Sequence, residues 1–136
     1  MDNFQISSIL RGDIRVRNIF KGCFMNNAVP FPKISSSDES CYVVNVISNP
    51  YVMGHWVCFY FRDNTMFFFD SFGVDPTIYS GDIKFLFNNY IGEKIIVVTN
   101  PIQSSTSNVC GGYVIWFLKM MAHKKNHLDS YKSFSV

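Results

Sequence analysis

HWVCFYFRDNTMFFFDS, residues 55–71, decides the fold. Two aromatic runs, His55 to Phe61 and Met66 to Ser71, flank Arg62-Asp63-Asn64-Thr65, a polar turn sequence. Both runs are apolar at neighbouring as well as alternating positions, which predicts a sheet covered on both sides. A four-residue turn pairs Phe61 with Met66 and carries the register back to Val57 opposite Asp70. His55 then shares the face of Val57, and hence of Asp70, one diagonal step away. Diagonal neighbours lie roughly 7–8 Å apart at the backbone, within reach of an imidazole and a carboxylate. A three- or five-residue turn would put the two on opposite faces.

Working outward, Cys41 to Ile47 is β-branched and bounded by Asn49-Pro50, and Lys94 to Thr99 is stopped by Asn100-Pro101. Pro76 to Tyr90 has helical spacing, with Ile78, Phe85, Leu86 and Ile91 expected on one face and Gly92 as the stop. Phe4 to Leu10 reads as a short helix ended by Gly12, and Pro30 to Asp38 as a loop. Cys110 to Lys124 reads as a nearly all-apolar helix with Gly111 and Gly112 in its first turn. Lys124 and Lys125 suit the negative end of its dipole. The expectation is one α+β domain over residues 1–136: a mostly antiparallel sheet with a buried helix carrying a cysteine at its N-terminus.

Composition narrows the function classes. With 136 residues, 48% apolar and 14 phenylalanines, the chain has enough apolar side chains for a core without staples. No run of 18 uncharged apolar residues exists, so no transmembrane helix and no membrane role is expected. The start, Met1-Asp2-Asn3-Phe4, has no basic or apolar leader, so the chain is not expected to be secreted. Cys23, Cys41, Cys58 and Cys110 form no CxxC pair, which argues for free thiols and against zinc. His123 and His127 are four apart but lack a third ligand nearby in sequence, so no metal and no cofactor is expected. The net charge of +2 is a weak argument for nucleic acid, although Arg11, Arg15, Arg17 and Lys21 cluster near the start.

Four positions then make a chemical set. Cys110 heads a helix, where the partial positive charge favours thiolate. His55 is placed to act as base, with Asp70 expected to accept the Nδ1 proton and leave Nε2 free. Gln103, seven residues before Cys110 across a polar loop, offers a side-chain amide that shares an oxyanion with the Cys110 N–H. Gly111 and Gly112 remove side chains where a substrate carbonyl approaches the backbone. Each residue also has a plainer reading. Cys110 is a small buried hydrophobe, Asp70 closes a strand with an Asx turn, Gln103 is solvated, and His55 is structural.

His55-Trp56, Asp70-Ser71-Phe72-Gly73, Gln103 and Cys110-Gly111, in that order, resemble the adenovirus-protease (adenain) branch of the ubiquitin-like-protein protease clan. Phe20-Lys21-Gly22-Cys23-Phe24 with Val29-Pro30, and Tyr42-Val43-Val44-Asn45 ahead of Gly54-His55-Trp56, extend the resemblance over roughly residues 4 to 122. It implies a papain-like or adenain-like fold with catalytic His55, Asp70, Gln103 and Cys110. It also implies substrate contacts from Trp56, Gly54 and Gly111, with Trp56 lining a narrow slot that admits glycine-rich peptide. The implied activity is a cysteine endopeptidase that cuts viral capsid or core precursors near glycine, in the virion and the host cell interior. The chain departs from the pattern in several places. Adenain has Glu where Asp70 stands, and Asp there matches the cellular relatives. Those relatives carry Asp where Val109 stands, which favours the viral side. No cysteine lies from Gly92 to Ile102, so any activating peptide is expected to bind non-covalently. The 26 residues that follow Cys110 (136 − 110) are fewer than in adenain, which suggests a minimal form, a fragment, or dependence on a partner. The alternatives are an isopeptidase acting on ubiquitin-like conjugates, and a catalytically idle virion protein with the same fold.

Overall fold

Asp63 and Asn64 both hold positive φ, 53° and 58°, the conformation of a two-residue hairpin turn. In this computed structural model, which describes residues 1–30, 38–47, 54–98 and 110–124, that turn joins β3 (Trp56–Arg62) to β4 (Thr65–Phe69). Phe61 faces Met66, the register expected from the sequence.

Five strands among the described residues form one sheet in sequence order, with β1 (Phe20–Met25), β2 (Ser40–Asn45) and β5 (Lys94–Val98) completing it. The centre, β2–β3–β4, is antiparallel as expected, but both outer pairs, β1–β2 and β4–β5, are parallel. The reason is connectivity. The chain leaves β4, passes through a 3₁₀ turn (Pro76–Ile78) and helix α2 (Gly81–Asn89), and returns as β5 in the same direction. β1, a parallel edge strand holding Gly22 and Lys21, carries no alternation that would have revealed it.

Side-chain alternation sends β3 and β4 residues to two separate cores. Cys58, Tyr60, Phe67 and Phe69 face helices α1 (Asn3–Arg11) and α3 (Cys110–His123), where Phe117 stacks on Phe69 at 4.7 Å. Val57, Phe59, Phe61, Met66 and Phe68 face α2. The face α2 buries is Ile83 and Leu86. The expected stripe is corrected here: Ile78, Phe85 and Ile91 are exposed, because a 3₁₀ turn and two non-helical residues break the 3.6-residue phase after Pro76. The C-cap is Tyr90, not Gly92.

Helix ends show where the sequence acts locally. Asp2 and Gln5 form a reciprocal capping box on α1, which Gly12 ends. Ser80, at the N-cap of α2, makes no side-chain cap bond. Asn26, from the end of β1, takes its place: its Oδ1 accepts the Ile83 N–H at 2.8 Å and its carbonyl accepts the Asp82 N–H at 2.8 Å. The Asn26 amide also donates to Val46 O and Ser80 O, at 2.8 and 2.7 Å. Gly81 holds φ +69°, and a Cβ there would sit 2.4 Å from Asn26 O. This buried asparagine therefore fixes where α2 begins.

At the far end of α3, His123 pairs with Asp13 at 2.9 Å; His127 lies outside the described residues. No group of metal-binding side chains occurs among the described residues, and no described helix is long and apolar enough to cross a membrane.

Candidate active site

The sheet end where β3 starts and β4 stops brings three sequence-predicted residues together. Cys110 is the first residue of α3, buried, with its sulfur 3.4 Å from the backbone nitrogen of Trp56, which donates to it. His55 precedes β3 and Asp70 follows β4, and they meet at 2.6 Å. The four cysteines are unpaired, as expected.

The imidazole is oriented opposite to the expectation. Nε2, not Nδ1, meets Asp70 Oδ1, and Nδ1 makes no hydrogen bond among the described residues. Reach explains the reversal. The two residues are diagonal across the hairpin, so the far nitrogen is needed to span the gap. The near nitrogen stays beside its own backbone, and the Cys110 sulfur lies against the next backbone N–H, that of Trp56.

Asp70 is fully buried and receives three donors. Oδ1 takes His55 Nε2–H and the Phe72 N–H (2.9 Å); Oδ2 takes the Tyr79 hydroxyl. The Asx-turn reading of Asp70 is thus seen directly, and the oxygen that makes the turn is also the one that meets His55. The turn closes with Gly73 N–H on Asp70 O at 2.9 Å, with Gly73 at φ +67°. It also lays the Phe72 ring flat on the His55 ring, centroids 3.7 Å apart. The imidazole is fixed in its plane by stacking and along its axis by Asp70.

The electrostatics follow from these contacts. Burial pushes the Cys110 thiol up, but His55 and the N–H groups of Trp56 and Gly111 outweigh it and leave the thiol below its ordinary value. Burial works to lower His55, yet Asp70 and Cys110 raise it to about 9. The shifts are opposite in sign, as expected of two coupled groups that can share one proton. Burial instead pushes Cys23, Cys41 and Cys58 up. A thiol and imidazole so placed are chemically able to act as nucleophile and proton donor at one centre.

The remaining expected residues divide. Trp56 is half-buried beside the sulfur, its indole N–H donating to Met1 O at 3.1 Å. Gly54 packs on the Asn45 side chain, where a Cβ would come within 1.8 Å of Asn45 Oδ1, so any side chain there would have to displace that amide. Gly111 is buried against Met1 and Ile6, whereas Gly112 faces open space. Gln103 lies outside the described residues. Sequence reading missed Phe72 as the ring support and Tyr79 as the third donor on Asp70. Phe72 follows the strand end it was quoted with; Tyr79, nine residues beyond Asp70, had no pattern to mark it.

No family model and no curated protein matches the chain. Among solved structures it is similar to the ASFV pS273R protease, with a TM-score of 0.61 and 17% identity over 98% of this chain and 61% of that one. The selenomethionine form of that protease gives a TM-score of 0.59 and 16% identity over 98% and 62%. The chain spans about 61% of the length of this neighbour and has an α+β fold of the pS273R type.

Proposed function

We propose that this chain is a cysteine endopeptidase of adenain-like type, acting through Cys110, His55, Asp70 and Gln103. The observation that carries this reading is the thiol at the head of α3, held by the Trp56 N–H beside an imidazole that Asp70 and Phe72 immobilise. A buried helix packed on strands needs none of that arrangement for stability. A protease among the similar folds adds support.

The Cys110 thiolate attacks the scissile carbonyl carbon, and the carbonyl π pair moves to oxygen. Backbone N–H groups and the Gln103 amide stabilise that oxyanion. Collapse of the tetrahedral intermediate breaks the C–N bond, and His55 Nδ1 gives its proton to the leaving amine. Water, deprotonated by Nδ1, then hydrolyses the thioester, returning the thiolate and the imidazolium. Trp56 with Gly54 favours glycine near the cut, because only backbone without bulk passes the indole. The proposed substrates are viral capsid or core precursors, in the virion and host cell interior.

Asp70 at the acid position favours a second reading, an isopeptidase for ubiquitin-like conjugates. A Gly-Gly fluorogenic peptide and full-length ubiquitin-family conjugates, offered in parallel to wild type and Cys110→Ala, separate the readings. Peptide turnover lost in Cys110→Ala supports the endopeptidase, and turnover of conjugates alone supports the isopeptidase. No turnover of either substrate by wild type beyond that of Cys110→Ala contradicts both, and leaves an idle structural protein.

A further inference from the structure

Tyr79 sits at the end of the 3₁₀ turn that follows Asp70, where its backbone N–H caps Pro76 O and its hydroxyl donates to Asp70 Oδ2. Its neighbour Ser80 is pinned through its carbonyl to Asn26, the same asparagine that starts α2. The phenol is therefore delivered to the carboxylate by the fold, not by chance rotation of a surface side chain. Burial, and then the Asp70 carboxylate, push the phenol far above its usual range, so it stays protonated and remains a donor at every working pH.

We propose that Tyr79 is a positioning residue of this site, drawing negative charge from Asp70 through Oδ2 and so limiting how tightly Asp70 holds the proton on His55. The inference rests on the proposed thiol chemistry but adds a component to it: a chain from Cys110 through His55 and Asp70 to Tyr79. Its logic is a balance. Asp70 must hold the imidazolium well enough to keep Cys110 as thiolate, yet the imidazolium must give its proton to the leaving amine. A carboxylate whose second oxygen had no donor would bind the imidazolium more strongly and make it a weaker acid. The titratable groups that act on the phenol are Asp70 and, more weakly, Cys110; His55 lies beyond Asp70. The other two acids of this region are engaged elsewhere, Asp75 with Thr77 and Asp82 with the Val29 N–H.

Tyr79→Phe keeps the ring in the core against α2 and removes only the hydroxyl. NMR titration of the His55 ring needs no substrate and reads the balance directly. The expected result is a His55 titration moved upward from about 9 by on the order of half a unit. With a Gly-Gly peptide, kcat is expected to fall about two- to threefold, the most that half a unit of acidity allows, while KM stays within about twofold. A His55 titration that is unmoved or moves down overturns the role of Tyr79, whatever happens to kcat. That failure is distinct from failure of the proposed function, which is read from Cys110→Ala alone.

Discussion

The backbone N–H of Trp56 donates to the Cys110 sulfur across 3.4 Å, joining the first residue of β3 to the first residue of α3. A neutral thiol gains little from such a donor, but a thiolate gains a charge-assisted bond. The same residue anchors its indole on Met1 O, so one tryptophan connects the N-terminal segment with Cys110. Shortening the side chain leaves the backbone donor in place. Trp56→Ala is therefore expected to keep fast Cys110 alkylation while raising KM for a Gly-Gly peptide about tenfold or more. Alkylation mass spectrometry beside steady-state kinetics checks the split.

Stability against pH tests the ion pair. His55 is raised from 6.5 to about 9, so its contribution is complete below 6.5 and is lost as pH rises through 9. Cys110 is lowered, so its contribution is complete above the ordinary thiol value and is lost as pH falls through the folded one. Wherever the window between 6.5 and 9 lies above the folded Cys110 value, the two slopes oppose each other. Urea unfolding of wild type should therefore change little across that window. Cys110→Ala, which keeps the His55–Asp70 contact alone, should lose about 1–2 kcal/mol over the same range.

Asn26 acts as the N-cap of a helix to which it does not belong. Asn26→Ala strands the buried Ile83 N–H and takes a donor from the partly buried Val46 and Ser80 carbonyls. The expected cost is about 3 kcal/mol, above that of an ordinary cap. Urea unfolding measures it.

Asn64 holds φ 58° at the second central position of the β3–β4 turn, which glycine adopts without strain. Asn64→Gly is expected to be neutral or to stabilise by a few tenths of a kcal/mol, where glycine elsewhere in this sheet destabilises. A loss above about 1 kcal/mol in thermal melts would show that Asn64 has a role beyond the turn.

Gly112, one residue past the buried Gly111, faces open space on the first turn of α3. Gly112→Ala should raise stability by about 0.5–1 kcal/mol, because alanine is the better helix former. If substrate approaches there, peptide turnover should fall in the same variant. A melt and a rate measured together separate the two effects.

Much of this architecture was legible because the hairpin states its own register. The polar turn at Arg62 to Thr65 and uninterrupted aromatic runs fixed the Phe61–Met66 pairing, and with it the meeting of His55 and Asp70. The cysteine at the head of an apolar helix was equally plain. The failures have physical causes. β1 is a glycine-containing parallel edge strand with no alternation to read. The face of α2 was misplaced because the 3₁₀ turn after Pro76 breaks the phase that periodicity assumes. The nitrogen facing Asp70 depends on side-chain reach across a diagonal, which spacing does not encode. Tyr79 reaches Asp70 only through the path that Asn26 fixes from another strand.

The most direct test of the account is the rate at which each cysteine is alkylated by iodoacetamide near pH 6.5, read by mass spectrometry of wild type and His55→Ala. The account predicts that Cys110 reacts fastest, well ahead of Cys23, Cys41 and Cys58, and that His55→Ala slows Cys110 alone by at least about tenfold. If Cys110 reacts no faster than the other three, or is indifferent to the loss of His55, the activated thiol does not exist and the proteolytic reading falls with it.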